Sequence, residues 1–183
     1  MIHTYSKTTA LALCGLFAAL TAICSYISIP LGFTPIPMNL GTLGVFLAGG
    51  LLGMRYGTLS IAVYVLMGAA GIPVFAGFQA GIGVLAGPTG GFIMGYILTA
   101  FIIGSITGRS TVAGGRSFDL CIVAMIAGLL ACYALGTIWF MVTTGTGLWP
   151  SLVACVLPFI PADIIKTFAA VILIRRLRPF IKL

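Results

Sequence analysis

Two charged residues stand where a membrane-crossing stretch should have none. The run Leu157-Pro158-Phe159-Ile160-Pro161-Ala162-Asp163-Ile164-Ile165-Lys166 is otherwise apolar. Asp163 and Lys166 are three residues apart, so a helix puts them on one face. A charge in hydrocarbon costs at least about 2.5–3.5 kcal/mol, so such groups usually face a cavity and mark function. The chemistry open to the pair is recognition: Lys166 would meet an anionic group, and Asp163 would accept N–H donors or orient Lys166. The plain alternative is an ion pair that pins its segment to a neighbour, since pairing offsets part of the burial cost.

Other polar candidates are few. Gln79 lies in a glycine-rich stretch, Gly77-Phe78-Gln79-Ala80-Gly81-Ile82-Gly83-Val84-Leu85-Ala86-Gly87-Pro88-Thr89-Gly90-Gly91-Phe92. Its amide can both donate and accept. The stretch is not a phosphate-binding loop, because no Gly-Lys-Ser/Thr follows, and no strand precedes it as a dinucleotide fingerprint would require. It is either a site of close helix packing through small residues or irregular backbone lining a cavity shielded from lipid. Asp119, near Arg116, reads as a helix-start carboxylate favoured by the helix dipole. His3 has no assigned role. Cys14, Cys24, Cys121, Cys132 and Cys155 show no metal or redox spacing and read as buried small hydrophobes. One His and no metal motif argue against a membrane enzyme.

The elements that must position these groups follow from composition. Hydrophobic residues make up 61% and charged residues 6% of the 183 residues, against about 25% charged in a soluble domain. The class is therefore an all-α integral membrane protein, since the segments are continuously apolar rather than alternating as in a β-barrel. At roughly 20 residues per crossing, about six crossings use up the chain as one domain, 1–183. The segments are about Thr8–Ile29, Asn39–Met54, Gly57–Ile72, Gly90–Gly108, Phe118–Thr143 and Pro150–Ile174. The first is long enough to span, and no cleavage site precedes a soluble domain, so a signal peptide is not expected.

The net charge of +7 does not point to nucleic acid. Lys7, Arg55, Arg109, Arg116, Arg175, Arg176, Arg178 and Lys182 all fall at segment ends on one side of a six-helix bundle. The connections Pro30–Met38, Pro73–Thr89 and Thr144–Trp149 hold no Lys or Arg. The positive-inside rule then puts both termini in the cytoplasm. In the first segment, Ala18 and Ala22 are four apart, as are Gly15 and Ala19. Such spacing makes a flat face where a helix can approach closely, either within the bundle or from a partner.

These residues resemble the BioY family, the substrate-binding S components of energy-coupling-factor (ECF) vitamin transporters. The resemblance covers nearly the whole chain. It is most specific at residues 81–92 and at Pro161-Ala162-Asp163-Ile164-Ile165-Lys166. The stretch Pro35-Ile36-Pro37-Met38-Asn39-Leu40-Gly41-Thr42-Leu43 is similar to the family's first outer loop. It departs from it at Asn39-Leu40-Gly41-Thr42, where the family often reads Thr-Leu-Gln-Thr, so Asn39 is expected to replace a contact from the Gln. The Ala18/Ala22 face is similar to the small-residue motif by which S components dock on the transmembrane coupling subunit EcfT.

The resemblance implies a six-helix bundle in the plasma membrane of a prokaryote that binds biotin at its outer side. It implies no cofactor and no chemistry on the ligand. ATP-driven uptake would need EcfT and cytoplasmic ABC-type ATPases, because the chain has no nucleotide-binding motif. Biotin calls for a cation, polar acceptors and an apolar wall. Lys166, Asp163, Gln79 and Asn39 supply the polar set, with Phe92, Tyr96, Phe33, Phe75 and Trp149 as candidate walls. The alternatives are a binding subunit for another small vitamin and a stand-alone small-solute facilitator or channel.

Overall fold

The computed structural model describes residues 7–109 and 118–181. Continuous apolar runs form helices here because a helix satisfies its own backbone where no water is available. Helix α1 spans Lys7–Tyr26. A two-residue antiparallel ladder follows, β1 (Ser28–Ile29) with β2 (Met38–Asn39), pairing Ser28 with Asn39. Then come α2 (Gly41–Ala69), a 3-10 turn at Ala76–Phe78, α3 (Ile82–Ala86), α4 (Gly90–Arg109), α5 (Phe118–Thr144), α6 (Leu148–Cys155), α7 (Ile160–Leu177) and a last 3-10 turn at Arg178–Phe180. Helices α1, α2, α4 and α5 are each long and apolar enough to cross a membrane, and α6 with α7 adds a fifth, broken candidate.

Helix α2 is not one rod. Gly53 has φ 74° and ψ −172°, a combination open to glycine and strained for other residues. A Cβ placed on Gly57 would lie 2.7 Å from the Ala48 carbonyl oxygen and 3.0 Å from the Gly49 Cα. In a straight helix, residues nine apart are separated by about 13 Å along the axis. The chain therefore reverses at Gly53, and residues 41–52 and 54–69 form two antiparallel arms. This is where the sequence divides its second and third segments, next to Arg55.

The last segment is a correction. The sequence reads as one stretch over Pro150–Ile174, but α6 and α7 are separate helices bent by 50°. Pro158 lies in the break and has no N–H to carry the ladder through, while Pro161 suits the first turn of α7.

A second correction concerns α1. Ala18 and Ala22 are 0% and 6% exposed and belong to the central core with Phe46, Ile61, Tyr64, Ala100 and Met125. They pack inside the bundle, so they present no docking face. Gly15 and Ala19 lie on the opposite, exposed side of the same helix.

Among the described residues, the basic residues other than Lys166 gather at one end. The Cys14 thiol donates to the Tyr56 carbonyl at 3.3 Å. A Cβ on Gly104 of α4 would meet the Met54 backbone nitrogen at 2.4 Å, and one on Gly50 would meet the Ile174 side chain at 2.3 Å. The turn beside Arg55, the end of α4 and the end of α7 thus lie together. His3, Ser110, Arg116 and Lys182 lie outside the described residues. Gly104→Ala should destabilise the fold by about 1–3 kcal/mol, because the atoms it meets are backbone and cannot swing away. Thermal unfolding of the detergent-solubilised variant would measure this; an unchanged midpoint would mean that α4 and the turn can separate freely.

Candidate functional site

At the end of the bundle away from the basic residues, a cavity opens between the two arms of α2, α4, α5 and α7. The first loop and the glycine-rich segment roof it. The sequence places its polar residues here because each element delivers them at this same end. Asn39 closes the β1–β2 ladder, Thr42 begins α2, and Tyr64 returns on its second arm. Tyr96 and Tyr133 come from α4 and α5, and Asp163 and Lys166 from the first turns of α7.

Asp163 and Lys166 are 2% and 5% exposed. The Lys166 ammonium donates to Asp163 Oδ1 at 2.7 Å and to the Thr42 hydroxyl at 3.1 Å. Thr42 in turn donates to Asp163 Oδ1 at 3.3 Å. The Tyr133 hydroxyl donates to Asp163 Oδ2 at 2.5 Å. Both carboxylate oxygens are therefore engaged by the protein. The ammonium, with three donors, has two partners among the described residues. The cluster is electrically neutral and dense in both donors and acceptors. It is suited to a polar group of mixed donor and acceptor character, and it offers little net attraction to a lone anion.

A second polar group lines the same cavity. Asn39 Oδ1 accepts from the Gly41 backbone N–H at 2.8 Å and from the Tyr96 hydroxyl at 3.3 Å. That leaves the Asn39 amide N–H groups as donors. Tyr64 shares a 3.0 Å hydrogen bond with Ser25 of α1. Gln79 lines the cavity from the exposed rim. Phe75, Phe92, Ile93, Leu129 and Phe159 form the apolar wall.

All six residues singled out for substrate contact, Asp163, Lys166, Gln79, Asn39, Tyr96 and Phe92, line this one cavity. Phe75 lines it as well. Phe33 and Trp149 do not; both are exposed. Sequence reasoning passed over Tyr133 entirely and gave Thr42 no role. A hydroxyl in mid-segment five was the available signal, but it carries no charge to mark it. The glycine-rich segment is irregular where it roofs the cavity. It also packs closely through small residues where it enters α4: a Cβ on Gly91 would meet Trp139 at 2.3 Å.

Comparison with known proteins was made on this basis. The profile of the BioY family matches residues 1–183. A protein of Thermotoga maritima named "Biotin transporter BioY" is 40% identical over 164 residues, covering 90% of this chain and 92% of the relative. A "Probable biotin transporter BioY" of Pyrococcus horikoshii is 40% identical over 172 residues, covering 94% and 98%. A solved structure described as the S-component for biotin from an ECF-type ABC transporter superposes with a TM-score of 0.88 at 31% identity. It covers 94% of this chain and 92% of that one.

Proposed function

The chain belongs to the BioY family, and from that premise we propose that it is the biotin-binding membrane subunit of a vitamin uptake transporter. The observation that carries the reading is the neutral cluster of Asp163, Lys166, Thr42 and Tyr133 at an apolar-walled cavity. Biotin's ureido group has two N–H donors and one acceptor. It matches a cluster that both gives and takes hydrogen bonds, with the Asn39 amide in the same cavity lining. Its carboxylate is then directed to the rim beside Gln79, where water still solvates the charge. Buried against a neutralised pair, the carboxylate would lose that hydration for little return. This reverses the pairing of Lys166 with an anion expected from sequence alone. The reason is the 2.7 Å contact by which Asp163 already neutralises the lysine.

The relatives are named transporters, and the chain is read as a binding subunit without catalysis. Energised uptake falls to partners, namely a transmembrane coupling subunit and ABC-type ATPases. The exposed Gly15 and Ala19 are the small-residue face left for docking. Mass spectrometry of small molecules co-purifying with the detergent-solubilised protein tests the ligand. Biotin at about one molecule per chain is expected, and a different vitamin would redirect the reading.

The topology proposed is six crossings, with both termini cytoplasmic in a prokaryotic plasma membrane. The two arms of α2 count separately, and α6 with α7 counts as one broken crossing. The gathering of Arg55 and the ends of α4 and α7 at one end supports it, by the positive-inside rule. In a cysteine-free background, single cysteines near Phe33, Phe78 and Gly147 should react with an impermeant reagent from outside, and one at Arg55 only from inside. Outside labelling at both Arg55 and Gly147 would remove the six-crossing arrangement.

A further inference from the structure

We propose that Tyr26, at the end of α1, is a latch that holds residues 71–89 closed over the cavity. The proposal rests on that cavity being the binding site. The segment contributes Ala76, Gln79, Val84 and Thr89 to the cavity lining. Neither its 3-10 turn nor α3 buries a residue fully; core packing reaches it at Val74 and Phe75 and, from partly buried positions, at Val84 and Leu85. Phe75 anchors its start, nearly fully buried against Tyr64. Beyond Phe75, the Gly81 N–H donates to the Gly68 carbonyl of α2 at 2.7 Å, and among the described residues side-chain fixings to neighbouring helices come from two places. The Trp139 indole N–H donates to the Gly87 carbonyl at 3.0 Å. Tyr26 stacks on Phe78 with ring centroids 4.4 Å apart and planes 23° from parallel, and its hydroxyl donates to the Pro73 carbonyl at 2.8 Å.

Phe78 is the telling residue. It is 65% exposed and has φ 58°, a conformation that bulky residues rarely adopt and that neighbouring structure must maintain. Tyr26 supplies that support, and the next residue is Gln79 at the cavity rim. Releasing Tyr26 from Phe78 and Pro73 would free the rim around Phe78 and Gln79 to lift, while Phe75, the Gly81–Gly68 bond and the Trp139–Gly87 bond hold the rest of the segment. The same end of α1 also holds the other roof, through the Leu40 N–H bonded to the Ile27 carbonyl at 3.2 Å and the Ser28–Asn39 pairing. Both covers of the cavity therefore hang on one helix end.

The test reads opening without any ligand. Cys155 lines the cavity, packed with Ile36 of the first loop, and is 1% exposed, so its conversion to a mixed disulfide reports opening of the cavity. With Cys14, Cys24, Cys121 and Cys132 replaced, Cys155 is reacted with a small charged methanethiosulfonate in detergent. Tyr26→Leu removes one stack and one hydrogen bond and should speed labelling about tenfold. Tyr26→Phe keeps the stack and should raise it only about threefold. Phe78→Leu removes the stack alone, at an exposed position, so it serves if Tyr26→Leu does not fold. Equal labelling rates in wild type and Phe78→Leu would overturn the latch. The same variants are then assayed for biotin dissociation, which should quicken by the same factors. Faster labelling in a protein that binds no biotin would uphold the latch and remove the vitamin assignment. Faster dissociation with unchanged labelling would overturn the latch.

Discussion

Lys166→Ala is expected to weaken biotin binding by roughly thirtyfold or more, and by the same factor for biotin and its amide. The size follows from truncating one partner of a buried, hydrogen-bonded charge pair, which costs about 2–5 kcal/mol. The equality follows from the geometry. Lys166 is held by Asp163 at 2.7 Å and by Thr42 at 3.1 Å, so it meets the ligand as part of a neutral donor–acceptor cluster. Acid and amide share the ureido group that this cluster would hold. Asp163→Asn keeps an acceptor for the Tyr133 and Thr42 hydroxyls and should lose less than Asp163→Ala. Joint replacement of Asp163 and Lys166 by alanine removes the stranded charge and should recover stability without recovering affinity. Titration calorimetry on folded variants with both ligands decides the matter. A much larger loss for the acid would return Lys166 to the carboxylate. Unchanged affinity in all variants would leave the pair a structural pin.

The pair was legible in the sequence because a charge in a membrane segment has no idle reading. A related logic located Gln79, whose amide interrupts a glycine-rich stretch, whereas Asn39 was reached only through the resemblance of the first loop. Tyr133 was not legible. It sits in a segment where every side chain can face core or lipid, and only the approach of α7 makes its hydroxyl a partner of Asp163. The reversal of α2 could be read from Arg55, a charge that must reach the membrane edge. The break between α6 and α7 was written in Pro158 and Pro161, but unbroken apolarity on both sides concealed it. The face of α1 illustrates a different limit. Gly15/Ala19 and Ala18/Ala22 have the same spacing and are both made of small residues. Which pair turns inward depends on where α2 packs, a fact that no local pattern in α1 carries.

That distinction sets the last expectation: Gly15→Trp or Ala19→Trp should bring biotin uptake to background while leaving binding by the isolated subunit intact. A Cβ on Gly15 would meet nothing within 4 Å, so a large ring there disturbs no internal contact. Leu11, Leu16 and Ile23 flank this face and are exposed as well. A bulky side chain on such a surface keeps a partner helix from the close approach that small residues permit. Ala18→Trp is the contrast. Ala18 is in the core, where overpacking costs about 1–3 kcal/mol or more, so that variant should lose stability and binding together. Uptake is measured in cells supplying the coupling subunit and ATPases, and binding on the purified chain. If Gly15→Trp and Ala19→Trp both transport normally, the partner docks elsewhere. If they abolish binding by the isolated subunit, this face of α1 supports the cavity directly.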